Sequence, residues 1–176
     1  MAIVEKRGKA KTRTIRIDTE IDDEITIEAE KQNKSVNNII EDILLSYLNH
    51  KRYVDEFNAL TILPDTLRVF LKYFDEDSLV KIGEEVGRVV PRQGFIRRDI
   101  VFDDKAVLDH LLTVLGGSDN WFEVSYHEGN TPYLYIRNSF GSKWLVFVEA
   151  HIKAFYKRVG HEVEVVRVGD NLQILL

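Results

Sequence analysis

The chain has no cysteine, which excludes disulfides, thiolate zinc sites and cysteine nucleophiles together. The same absence fits a reducing compartment, and a cytoplasmic location is the expectation. No stretch approaches 18 uninterrupted apolar residues, so no membrane span and no membrane partner are expected. The basic N-terminal residues are not followed by an apolar run, so they do not read as a secretory signal. No GxSxG, phosphate-loop glycine pattern or HExxH occurs, and an enzyme is the class least expected. The five histidines (His50, His110, His127, His151 and His161) are scattered without HxH or HxxxH spacing. They read as satisfied surface or core residues, and neither a metal site nor a cofactor is expected. Internal repeats and low-complexity tracts are also lacking.

What is present is enough for one medium domain or two small ones: 176 residues, 44% of them hydrophobic. The net charge of -5 at first opposes nucleic-acid binding. Its distribution matters more than its sum. Residues 1–17 hold Lys6, Arg7, Lys9, Lys11, Arg13 and Arg16 against Glu5 alone, a net of +5 that leaves -10 for the rest. A short basic arm on an acidic body suits contact with nucleic acid, though charge alone fits a solvated tail equally well.

Along the chain, residues 1–10 read as flexible. TRTIRI (12–17) is rich in β-branched side chains and alternates, with Ile15 and Ile17 on one face and Thr12, Thr14 and Arg16 on the other. Asp18 or Thr19 caps a helix whose first turn carries Glu20, Asp22 and Asp23. Ile21, Ile25 and Ala29 recur at helical spacing until Asn33, which tolerates a left-handed turn. Ser35 is a suitable N-cap for a second helix. Val36, Ile39, Ile40, Ile43, Leu44, Tyr47 and Leu48 form its wide apolar face, and nothing breaks it before Phe57.

Pro64 opens a helix over 64–74. Another is predicted from about residue 77 to 89, ended by Pro91, with 92–103 irregular or extended. A helix from about 104 to 115 stops at Gly116-Gly117. The periodicity then changes to two strands, 122–128 and 133–139, around an Asn130-Thr131-Pro132 turn. A long amphipathic helix over 142–159 ends at Gly160. A closing hairpin of 162–168 and 172–176 turns at Gly169-Asp170-Asn171. The fold class is α+β. Residues 1–56 form a strand-helix-helix domain, and residues 60–176 form an α+β domain of helices followed by ββαββ.

A lone six-residue strand is not stable by itself, and Ile15 and Ile17 need a partner face. Two chains meet both needs if their strands pair antiparallel across a two-fold axis. The resulting two-stranded ribbon fits the DNA major groove.

At this point the sequence resembles the ribbon-helix-helix family of the MetJ/Arc/CopG type. The resemblance covers roughly residues 11–50 and rests on TRTIRI followed by IDDEITIEAEKQNKSVNNIIEDILLSYL, with AEKQNKSVNNII the most family-like piece. It implies a homodimer, or a tetramer of paired dimers, bound to double-stranded DNA. It implies that Thr12, Thr14 and Arg16 read base edges. It also implies that Ser35, Val36 and Asn37, at the start of the second helix, hold a phosphate. The chemistry suits these roles. Arginine bonds guanine O6 and N7 together, and threonine bonds a base edge or touches a thymine methyl. A helix N-terminus is an anion site, and Lys34 adds charge beside it. Arg13 shares strand parity with the isoleucines, so it is assigned with Lys11 to backbone phosphates. Asn33 stands where many members carry glycine, and asparagine also adopts positive φ.

The C-terminal domain resembles, in order of elements only, the small-molecule-binding V4R and haem-NO-binding sensor domains. The cysteines often seen at the end of V4R-type domains are absent, and no site residues carry over. Its dense aromatics, Phe70, Trp121, Trp144, Phe147 and Phe155 among them, form either a core or an apolar pocket for an effector. Gly83 and Gly87 read as sites of close helix packing. Asp75, Glu76 and Asp77 read as a helix entry, and Glu84-Glu85 as a solvated face.

The expected function is therefore a dimeric, sequence-specific transcriptional regulator of the repressor type. Its C-terminal domain senses a small molecule or assembles dimers. Two alternatives stand beside it. One is an antitoxin-type autoregulator whose C-terminal domain binds a protein partner. The other is a partition or architectural DNA-binding protein without sequence preference.

Overall fold

The computed structural model describes residues 11–57, 60–97 and 99–176. The expectation for residues 1–10, and with it Lys6, Arg7 and Lys9 of the basic arm, lies outside these. The protein is α+β, and the chain divides into two compact units, Ala2–Ala59 and Leu60–Leu176. Among the described residues no helix is long and apolar enough to cross a membrane.

In the N-terminal unit, residues 11–18 carry no regular secondary structure. The strand predicted over 12–17 is not formed, because one chain offers this segment no edge to pair with. Helix α1 (Thr19–Lys31) and helix α2 (Val36–Ser46) follow as a helical hairpin. A π-helical segment, Tyr47–Lys51, continues α2 into α3 (Arg52–Phe57). The uninterrupted helix predicted towards Phe57 thus has the right extent but a widened turn in its middle.

The C-terminal unit begins with α4 (Pro64–Lys72), Pro64 standing where its missing N–H is no loss. Asp75 opens α5 (Glu76–Arg97) by accepting a hydrogen bond from the Ser78 amide at 2.7 Å. Bonding to Ser78 also holds the Asp75 carboxyl below its usual pKa. Helix α5 corrects the sequence reading, because it runs through Pro91 and includes residues 92–97, predicted to be irregular. A proline removes one intrahelical bond. Here Phe95, one turn beyond, is buried with Phe102, His110 and Phe155 around it, and that burial outweighs the lost bond.

Helix α6 (Asp104–His110), capped by Asp103, continues as a π-helical segment, Leu111–Ser118. Gly116-Gly117 therefore does not stop it. Gly116 serves a different need: a β-carbon there would collide with the Val124 side chain on the first strand.

The sheet contains β1 (Glu123–His127), β2 (Tyr133–Arg137), β3 (Glu164–Val168) and β4 (Asn171–Leu175), with α7 (Ser142–Lys157) between β2 and β3. The order is β1-β2-β4-β3, with every pair antiparallel. Both predicted hairpins are present. Gly169, at φ 59°, takes the first central position of the β3–β4 turn, where a type II′ turn favours glycine. Leu134, Ile136, Leu172 and Ile174 alternate onto the inner face and are fully buried.

Helix α7 is buried nearly all round, because the sheet covers one side and α5 the other. The approach of α5 depends on two glycines. A β-carbon on Gly83 would stand 2.9 Å from the Ala150 β-carbon, and one on Gly87 3.0 Å from that of Ala154. Trp121, Trp144, Phe147 and Phe155 join this core as expected, whereas Phe70 is 55% exposed and does not. Trp144 stacks on Phe147 with centroids 4.7 Å apart, and its Nε1 donates to the Trp121 carbonyl at 2.8 Å.

His151 departs from the expectation of a satisfied histidine. It is buried among Trp121, Phe147 and Phe155, and neither ring nitrogen has a hydrogen-bond partner. Burial pulls its pKa down to about 4, so the ring is neutral at pH 7.

Candidate nucleic-acid interface

The residues expected to read bases lie on the extended entry to α1. Thr12, Thr14 and Arg16 are exposed, as are Lys11 and Arg13. Ile15 is 59% exposed, and Ile17 is half-buried. The segment ends at Asp18, whose carboxylate accepts from the Glu20 amide at 3.1 Å. Glu20 and Asp22 sit in the positive first turn of α1. The basic segment therefore stops abruptly at an acidic helix start.

The corner between α1 and α2 is closed by backbone groups. The Lys34 amide donates to the Ala29 carbonyl at 2.9 Å, and the Asn33 amide donates to Glu30 at 3.1 Å. These are the paired bonds of a Schellman motif, which needs a left-handed residue after the cap. Asn33 supplies it with φ 52°. Two residues later Ser35 caps α2, its hydroxyl accepting from the Asn38 amide at 3.2 Å. The amides of Val36 and Asn37 belong to the first turn, where no intrahelical carbonyl exists for them. Ser35 and Asn37 are exposed and Val36 is half-buried. The corner thus brings Ser35, Val36 and Asn37 together at one helix start.

Lys34 is placed differently from the expectation. Its Nζ lies 3.0 Å from Asp42 Oδ2 on α2, and both side chains are about 40% exposed. An exposed ion pair of this kind contributes about 0–1 kcal/mol. The lysine charge is thereby partly balanced within the chain.

The apolar face of α2 is largely uncovered. Ile39 is buried, while Ile43, Leu44 and Tyr47 are more than half exposed, as is Ile21 of α1. In the described part of this unit, Ala29 and Ile39 are the buried hydrophobic residues.

Sequence reasoning missed a second constellation, in the C-terminal unit. Asp104, Tyr126, Tyr156 and His161 line one cavity. They come from α6, β1, the end of α7 and the following loop, and no spacing along the chain links them. Among the described residues no group of three or more histidine, aspartate or glutamate side chains is placed to hold a metal ion.

No family model matches the chain, and neither a curated protein nor a solved structure matches it.

Proposed function

We propose that the chain is a dimeric, sequence-specific DNA-binding transcriptional regulator of the ribbon-helix-helix type. The observation that carries this reading is the set of exposed apolar side chains in the N-terminal unit, Ile15, Ile21, Ile43, Leu44 and Tyr47. A helical hairpin that buries so little does not offset the entropy of ordering its own backbone. A second copy, related by a two-fold axis, covers the same face on both chains.

Pairing of two 12–17 segments across that axis gives the ribbon an outer surface of Thr12, Thr14 and Arg16 from each chain. Inserted in a major groove, these side chains reach base edges. Lys11 and Arg13 then lie towards the phosphates. The first-turn amides of α2, with Ser35 and Asn37, bond a phosphate from the groove edge.

The C-terminal unit senses a small molecule or assembles dimers. Its continuous core of α5, α7 and sheet residues weighs against an antitoxin-type tail, which orders only on its partner. The test is selection from a random pool of duplex DNA by the full-length protein. Enrichment of a sequence with two related half-sites is expected. Binding without enrichment points instead to the partition or architectural class, and no binding at low salt rejects the reading.

A further inference from the structure

Helix α4 is fixed to the C-terminal unit along one side. Leu71 is buried in the core, and Leu67 packs against it. Arg68 donates to the Ser139 carbonyl at 2.9 Å and lies over the Phe140 ring. Lys143 donates to the Lys72 and Phe74 carbonyls at 3.1 and 2.6 Å and so closes the C-terminal end. These contacts settle which side of α4 faces outward.

That outward side is apolar. At 3.6 residues per turn, Val69 and Tyr73 lie opposite Leu71. Phe70 and Phe74 form one border of this face, and Asp65 and Lys72 form the other. Ile62 and Leu63, just before the helix, are exposed as well. The least exposed of the six apolar residues is Phe74 at 41%, and Tyr73 reaches 86%. Contiguous apolar surface of this kind marks an interaction site.

We infer that the outward face of α4 is covered by α4 of a second copy of the chain, the two helices antiparallel across a two-fold axis. In that arrangement each border meets its own copy, run in reverse. Asp65 of each copy then stands opposite Lys72 of the other, and the phenylalanine borders meet each other. A parallel arrangement would instead set the charged border against the phenylalanines. Asp65 also meets Arg68 of its own helix, but its side chain stays exposed, as does Lys72. The face is thus self-complementary in charge as well as apolar.

Its size also selects the occupant. A stable interface between separate proteins takes about 20–30 residues a side. Six apolar residues and two charged ones offer about a third of that, too little for a free partner. A second copy already held at the N-terminal unit is different. Helix α3 ends at Phe57 and α4 begins at Pro64, so each α4 follows on a short tether. A tether makes the second contact intramolecular, and a small face then suffices. The inference rests on the N-terminal dimer proposed above and gives the assembling role of the C-terminal unit a surface.

The chain has no cysteine, so one introduced thiol reports on one place. In the full-length protein, Val69→Cys stands near the two-fold axis, where packed helices lie about 8–10 Å apart, within reach of a short bis-maleimide. A two-chain product is expected, with a yield that holds on dilution while sedimentation still shows a dimer. Glu128→Cys, just after β1, is expected to give none, and Leu44→Glu added to Val69→Cys is expected to abolish the product. Adding Lys72→Glu to Val69→Cys sets two acids against each other and is expected to slow cross-linking about threefold. Adding Asp65→Lys as well is expected to restore the rate, although both changes oppose the helix dipole. A dimer whose Val69→Cys does not cross-link, or whose charge exchange brings no rescue, overturns the inference and leaves the N-terminal dimer standing. A yield that rises with concentration, or a product that persists with Leu44→Glu, overturns the tethered pairing. A monomer without a product overturns the inference and the N-terminal dimer together.

Discussion

Gly83 on α5 meets the backbone of Phe147 on α7 so closely that a β-carbon would stand 2.5 Å from the Phe147 carbonyl oxygen. A rigid backbone atom at that distance does not yield as a flexible side chain would. Gly83→Ala must push the two helices apart, and a loss of about 1–3 kcal/mol is expected. Gly94, on the same helix, has no atom within 4 Å of its would-be β-carbon. Gly94→Ala is expected to gain about 1 kcal/mol from helix propensity. Urea unfolding of the two variants beside the unmodified protein checks the pair. Equal effects would show that helix propensity and not contact with α7 governs both sites.

His151 makes the fold acid-sensitive. In the unfolded chain the ring takes up a proton near pH 6.5, but in the folded chain only near 4. Between those values the unfolded state binds more protons, so stability is full above pH 6.5 and falls as the pH drops towards 4. The window amounts to about 3 kcal/mol. Glu149 acts lower. Burial pushes its pKa up, but hydrogen bonds from Lys153 and Arg167 outweigh this and leave it below the usual 4.5. Its contribution is present above that value and lost beneath it. His151→Leu, which removes both unpaired nitrogens at similar volume, is expected to be neutral or stabilising at pH 7. It should also flatten stability between pH 6.5 and 4. A variant retaining the full slope would assign the acid sensitivity to other groups.

Dimer formation is tested at Leu44, which is 57% exposed on α2. Leu44→Glu places a charge on the face assigned to the second copy. Losing one buried leucine per chain weakens the dimer by roughly 3–6 kcal/mol, counting both copies. Sedimentation should show a monomer at concentrations where the unmodified protein is dimeric, with the C-terminal core still folded. An unchanged dimer would place the interface elsewhere.

Substitutions at Arg16 and Lys11 test the proposed division between base reading and phosphate contact. Arg16→Ala is expected to lose about 1–3 kcal/mol of discrimination at its base position. Lys11→Ala is expected to weaken all sequences alike and reduce the salt dependence by about one unit of slope. Anisotropy titrations against a selected site and a scrambled one, at two salt concentrations, measure both. Sequence preference unchanged in Arg16→Ala would reject the ribbon-reader assignment.

The elements set by local chemistry were legible in the sequence. Asp18, Asn33, Ser35 and Pro64 act on amides or dihedrals within a few residues, so their types alone announced the helix ends and the corner. The alternation of Leu134 and Ile136, and of Leu172 and Ile174, announced two strands of the sheet. Elements decided by distant packing were not legible. Pro91 signals a stop, but Phe95 finds its pocket only after α6 and α7 are in place. Gly116-Gly117 signals a stop too, yet Gly116 is there because Val124 presses on it. The candidate DNA-contacting residues were legible by type and order. The ribbon proposed for them needs two chains, and one chain does not display it. The cavity at Tyr156 was hidden because Asp104 lies some fifty residues away in sequence, and neither residue is unusual by itself.

The corner between α1 and α2 is built almost entirely from main-chain bonds, those of Lys34 to Ala29 and of Asn33 to Glu30. Its shape is thus independent of most of the side chains that decorate it. Changing Lys34 or Asn37 alters the charge and donors offered to a neighbouring anion, while the angle at which the helix start is presented stays fixed. Shape is written in the main chain and charge in the side chains, so one can be retuned without redrawing the other.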